Sequence, residues 1–308
     1  MRFAHALLGL TFLAGPAVAQ EFRFDPSEFE AKPYEISGIA EARGEQFFLD
    51  RDAALYRISD PTGRDGNRNE RGTGKLELSG RYRAGSVSAF GRGTAVGVID
   101  ANDEESSEMT LLEGGVTVQP QTGYSLDLGK KALKWGKGYA WSPVGFAERA
   151  KDPSDPDLSR EGFWMADGEG TWTFDGDPIR TLGVSAVMLP VSTAVNGDFG
   201  SDTAINVAGK IYVLAYDTDI DIVALAGGTR SSRYGVDFSR NLASNLELHG
   251  EMAWVADSSR RVLGPNNTVS TRRNDAVNWL LGGRYLTENE TTFIFEYYRN
   301  GAGFTEGE

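Results

Sequence analysis

Period-two alternation of apolar and polar residues recurs along the chain in segments of about eight to eleven residues. It restricts the fold more than any other feature. Residues 75–83 place Leu76, Leu78, Gly80 and Tyr82 on one face and Glu77, Ser79, Arg81 and Arg83 on the other. Residues 245–254 set Leu246, Leu248, Met252 and Trp254 against Glu247, His249 and Glu251. Residues 276–285 set Val277, Trp279, Leu281 and Tyr285 against Asn278, Gly282 and Arg284. The same reading applies to 122–129 (Asp127 on the polar face), 164–174 (Asp167 and Glu169), 209–216 (Lys210) and 291–298 (Glu296). Segments 34–42, 44–57, 86–99, 108–118, 181–190, 219–228 and 233–240 follow the pattern less cleanly, which brings the expected strands to about fourteen.

Two details give this all-β pattern a direction. Charges stand in the middle of the polar face, and aromatics (Tyr82, Trp172, Phe174, Trp254, Tyr285, Tyr297) close the ends of the apolar face. An apolar band between aromatic girdles, on strands of ~9–11 residues, is the signature of a transmembrane β-barrel. Turns such as Asp217-Thr218 and 287–289 alternate with long polar stretches at 100–107, 143–162, 191–205 and 256–275, as barrel turns and loops do. The expected fold is an all-β, antiparallel transmembrane β-barrel.

Residues 1–19 read as a signal peptide. Arg2 precedes an apolar run from Ala6 to Ala14, and Ala17-Val18-Ala19 has the small-x-small form of a cleavage site before Gln20. The barrel is expected over 20–308, exported to the outer membrane of a Gram-negative bacterium. The run Gly301–Glu308 reads as the start of a loop rather than a closing strand, so the sequence is expected to be truncated at its C-terminus.

Composition removes other classes. With no Cys there is no disulfide framework and no thiol nucleophile. With two His, one of them His5 in the leader, there is no multi-histidine metal centre. A net charge of −13 argues against nucleic acid as a partner.

The segment from Leu126 through Lys130, Lys131, Lys134, Trp135, Lys137, Tyr139 and Trp141 to Phe146, with Lys151-Asp152-Pro153 and Ser232–Leu242, resembles a group of uncharacterised proteobacterial outer-membrane barrels. These are porin-like and loosely similar to alginate-export-type barrels. The resemblance covers most of the chain after the leader and implies an outer-membrane barrel. It implies no particular substrate and no catalytic residue. Barrels of this kind carry a C-terminal aromatic residue read by the barrel-assembly machinery, and this sequence ends differently.

The lumen-facing candidates are Glu77, Asp127, Asp167, Glu169, Glu247, Glu251 and Glu296 against Arg81, Arg83, Lys210 and Arg284, with His249 among them. That balance would favour cations in a water-filled pore. The same charges could instead pair across strands and close the interior. Lys130, Lys131, Lys134, Trp135, Lys137, Tyr139 and Trp141 form the second group. They would contact an anionic or sugar-like solute if folded into the pore, or lipid phosphates if they form a girdle loop. Asp217, Asp219 and Asp221 have alternate-position oxygens, but without a calcium loop's glycine and terminal Glu they read as a polar hairpin. Asp103–Glu108 reads as a solvated loop that could bridge cations to lipopolysaccharide. His249 lacks a G-x-S-x-G partner motif, so no hydrolase is expected. No metal and no cofactor is expected.

The expected function is passive passage of small hydrophilic solutes in contact with outer-membrane lipid and lipopolysaccharide, with a homo-oligomer open. The alternatives are a non-conducting barrel that serves as an anchor or as part of a polysaccharide or lipid export assembly, and a soluble carbohydrate-binding β-protein.

Overall fold

The computed structural model describes residues 32–59, 68–100, 105–150, 160–176, 178–200, 202–263 and 268–303. The leader and the C-terminal Phe304–Glu308 lie outside them, as do Asp103 and Glu104. The elements in order are β1 (Tyr34–Phe48), α1 (Ala54–Ser59), β2 (Arg68–Ala84), β3 (Val87–Asp100), β4 (Glu105–Val118), β5 (Tyr124–Lys131), β6 (Phe163–Thr173), β7 (Ile179–Val191), β8 (Ala204–Ala215), β9 (Thr218–Gly227), β10 (Arg233–Ala243), β11 (Leu246–Leu263), β12 (Val269–Leu286) and β13 (Thr292–Arg299). They make one 13-stranded antiparallel sheet in strict sequence order, so every strand pairs with its neighbours in the chain. Among the described residues β1 and β13 are not paired with each other. The fold class is the expected one, all-β and antiparallel.

The strand count differs from the expected figure for one reason. Segments 34–42 and 44–57 are not two strands. The first runs unbroken through Arg43-Gly44 to Phe48, paired residue for residue with β2, and 54–59 turns as a short helix. Gly44, the first residue of the second expected segment, stays in register with Gly72. The β8–β9 turn also sits one residue earlier than expected. Tyr216 and Asp217 carry φ of 52° and 55°, a two-residue turn with both central residues left-handed, whose twist suits a hairpin.

Side chains divide as the alternation dictates. One face carries large apolar residues that are exposed: Leu78, Leu128, Met188, Ile222, Met252, Leu281 and Phe295. Aromatics close it at both ends. Trp172 donates its indole N–H to the Tyr124 hydroxyl (3.1 Å) near the short turns, and Tyr234 packs on Trp254 (6.0 Å between centroids) near the long connections. From Leu246 to Trp254 the strand runs ~26 Å at ~3.3 Å per residue, comparable with the ~25 Å apolar band of membrane barrels.

The opposite face is covered. The segment 132–149 between β5 and β6 lies on it, and a core forms there from Leu133, Trp135, Val144 and Phe146 against Phe163, Met165, Val187, Leu189, Val223, Leu225 and Ala253. The alternation alone did not assign these wall residues to a buried layer.

An arginine placed at Leu281, in the middle of the exposed apolar face, is expected to destabilise the refolded protein in bilayers by about 2–4 kcal/mol. Denaturant titration in vesicles measures it. An effect below about 0.5 kcal/mol would mean that this face meets water.

Candidate functional site

Register places the acidic residues of the covered face directly opposite one another. Asp127 pairs with Asp167 between β5 and β6. Asp221 pairs with Asp237 between β9 and β10, and Asp237 with Glu251 between β10 and β11. Like charges directly opposite on neighbouring strands repel, and Asp167, Asp221 and Asp237 are essentially without solvent access. Buried carboxylates need a cation or hydrogen-bond donors. Segment 130–149 supplies both.

Lys131 answers the first pair. Its ammonium contacts Asp127, Asp167 (2.7 Å) and Glu169 (3.4 Å). Thr117 donates to Asp127 (2.5 Å) and Ser185 to Asp167 (3.1 Å). Lys137 answers the second, with Nζ 2.8 Å from Asp221 and 3.9 Å from Asp237, above the ring of Tyr212 (5.7 Å). Lys210 approaches Asp221 from the wall (3.9 Å) and lies over the ring of Trp135 (5.9 Å). Burial works against the charge of Lys137, but the hydrogen bond and field of Asp221 outweigh it. The ammonium is therefore held above the ordinary lysine range.

Three wall carboxylates accept backbone N–H groups of the segment. Glu251 takes Gly138 (2.6 Å) and Val144 (3.1 Å). Glu296 takes Tyr139 (2.5 Å) and Ala140 (2.8 Å) and also contacts His249 Nε2 (3.0 Å). Glu113 takes Ala132 (2.9 Å). Within the segment, Glu148 accepts from Trp135 and Gly136. The segment approaches so closely that a Cβ at Gly136 would stand 2.8 Å from the Glu251 carboxylate and one at Gly138 3.1 Å from a methyl of Leu280. On the wall, a Cβ at Gly235 would stand 2.7 Å from a methyl of Val144.

The remaining candidates occupy related places. Glu77 pairs with Arg160 (2.6 Å) and Arg92 (3.8 Å). Lys130 pairs with Glu161 (2.5 Å), Arg83 with Glu35 (3.0 Å), and Arg81 lies over the ring of Phe90 (5.4 Å). Glu247 receives the Tyr139 hydroxyl (3.0 Å) and pairs with Arg284 (3.2 Å). Trp141 stacks on Tyr298 (5.6 Å). Lys134 is exposed, apart from the carboxylate rows.

Asp237, Glu113 and Glu148 went unassigned in the sequence. Asp221 was read within the hairpin Asp217-Thr218-Asp219-Ile220-Asp221, yet it lies inside strand β9, fully buried. Asp237 could have been found, because it alternates with Tyr234, Val236 and Phe238.

No family model matches the chain, and no curated protein is similar to it in sequence. Solved structures similar to it are outer-membrane barrels. The FrpB iron transporter from Neisseria meningitidis (F3-3 variant) matches at 9% identity and TM-score 0.39, over 90% of this chain and 50% of that one. This chain therefore spans about half the transporter's length. Salmonella typhi OmpF, in complex with daunomycin, matches at 10% identity and TM-score 0.36, over 86% of this chain and 89% of that one. Pseudomonas aeruginosa OccK2 (OpdF), in complex with glucuronate, matches at 8% identity and TM-score 0.33, over 87% and 92%. At these scores none of them bears on what this chain carries.

Glu251→Ala would remove the carboxylate that accepts the buried N–H groups of Gly138 and Val144. It is expected to cost about 2–5 kcal/mol and to speed amide exchange at Gly138 and Val144. Unchanged exchange at both amides would mean that the segment is held elsewhere. The folded value of Lys137 lies above the ordinary 10.5, so its contribution is complete below that pH and is lost as pH rises through the folded value. Tryptophan fluorescence is expected to show a transition above pH 10.5 in the wild type that Lys137→Met lacks.

Proposed function

We propose that the protein is an outer-membrane porin-like channel for small hydrophilic solutes, in which segment 132–149 forms the constriction. The observation that carries this reading is the seat of that segment. It lies on the charged face of the sheet, fixed there by wall carboxylates, while the apolar face between aromatic rims is left for lipid. A segment folded inward from a long connection narrows the path without closing strands onto it.

Selectivity follows from charge. The row Asp127, Asp167 and Glu169 meets one lysine, and the row Asp221, Asp237 and Glu251 meets two, so acidic side chains outnumber lysines in both rows. A cation preference results. The protein acts by passage and performs no covalent chemistry. The resemblance of 126–146 to porin-like outer-membrane barrels supports the same reading.

A second reading has its own support. Val187, Leu189, Val223 and Leu225 pack with Phe146 in a buried apolar layer on the covered face. A barrel filled in this way would serve as an anchor or as part of a polysaccharide or lipid export assembly.

Planar-bilayer recording separates the two. Discrete steps with a cation-selective reversal potential are expected, with larger steps in the double variant Glu251→Ala/Glu296→Ala, which frees the segment. Absence of steps from protein shown to be inserted would remove the channel reading in favour of the filled barrel.

A further inference from the structure

The row Asp221, Asp237 and Glu251 places three buried carboxylates on adjacent strands in direct register, at 0%, 1% and 3% exposure. Neither carboxylate oxygen of Asp237 receives a hydrogen bond. Its nearest described cation, Lys137, stops 3.9 Å away. Glu251 is engaged by backbone N–H groups, and Lys210 reaches only Asp221, at 3.9 Å. The group seated in the row is a primary ammonium with the face of Tyr212 beside it. The Tyr212 ring is held in turn by its hydroxyl, which donates to Asp219.

Two anionic groups and an aromatic face around one –NH₃⁺ are what recognition of an alkylammonium requires. The ammonium here is tethered. Lys137 belongs to a connection, not to the wall, and reaches the row only because the segment is folded inward. Among the described residues no group of three or more acidic or histidine side chains is arranged to hold a metal ion. The group already seated there is a primary ammonium against an aromatic face, so the site suits an organic cation.

We propose that this row is a binding site for primary alkylammonium ions, with Lys137 as its built-in occupant, and that solutes bearing a primary amine replace Lys137 there. The naming of amines as solutes rests on the channel reading, but the site itself does not. When Lys137 leaves, the acidic side chains of the row face Lys210 alone, so an incoming cation is drawn to it.

Chemical rescue tests the site. Lys137→Ala in detergent micelles is expected to melt below the wild type. Propylammonium should raise its midpoint saturably by about 2–4 °C, while sodium and tetramethylammonium at equal ionic strength should not. If the alanine variant fails to fold alone, its refolding yield with propylammonium, against sodium and tetramethylammonium at equal ionic strength, replaces the melting midpoint. Equal effects of all three salts would show screening only, and no effect of propylammonium would show no site. Either result overturns the proposal. Rescue in a protein that gives no conductance steps would leave the site standing and remove the channel.

Discussion

Carboxylates that face each other across neighbouring strands, out of reach of water, are the constraint on which the rest of this structure depends. A β-sheet fixes such pairs through backbone register, and side chains cannot move far enough apart to escape. Asp127 with Asp167 and Asp221 with Asp237 are fixed in this way. Each pair would be costly if left alone, because an unpaired buried charge is among the most unfavourable groups a protein can hold. Each is met by a lysine from one stretch of chain, Lys131 at the end of β5 and Lys137 in the segment that follows.

The path of that segment follows from those two anchors. Between and beyond them the backbone runs flat against the wall, and its N–H groups find no strand to pair with. Glu251 and Glu296 accept four of them, which allows an irregular segment to lie on a covered face. Glycines at the closest approaches leave room. Leu133, Trp135, Val144 and Phe146 add an apolar layer toward the long connections. Charge thus fixes the middle of the segment and packing fixes its flanks. The carboxylates that a reading of the sequence assigned to an open, acidic lumen are largely engaged in holding this one piece of chain.

The sheet was legible because alternation is a local property. Leu76–Tyr82, Leu246–Trp254 and Val277–Tyr285 show their faces in the sequence, and the structure keeps those faces. The continuity of β1 through Arg43-Gly44 was not legible, because it is set by pairing with β2, which continues past that point. The basic-aromatic stretch stood out, but its partners did not. Whether Lys137 meets lipid phosphate or Asp221 depends on residues about eighty positions away, brought together by strand order and not by spacing. Asp237 illustrates the same limit. Its place on the polar face can be read locally, while its burial depends on Val144 and Phe146 folding over the neighbouring Gly235.

A double-mutant cycle on Lys137 and Asp221 tests most directly whether the inward segment is held by the buried carboxylate row. Unfolding free energies of Lys137→Met, Asp221→Asn and the combined variant, measured in one detergent, give the coupling between the two side chains. A coupling of about 1–3 kcal/mol is the result expected of side chains in contact. Additive single effects, within about 0.5 kcal/mol, would show that the lysine and the row do not meet and would contradict the account.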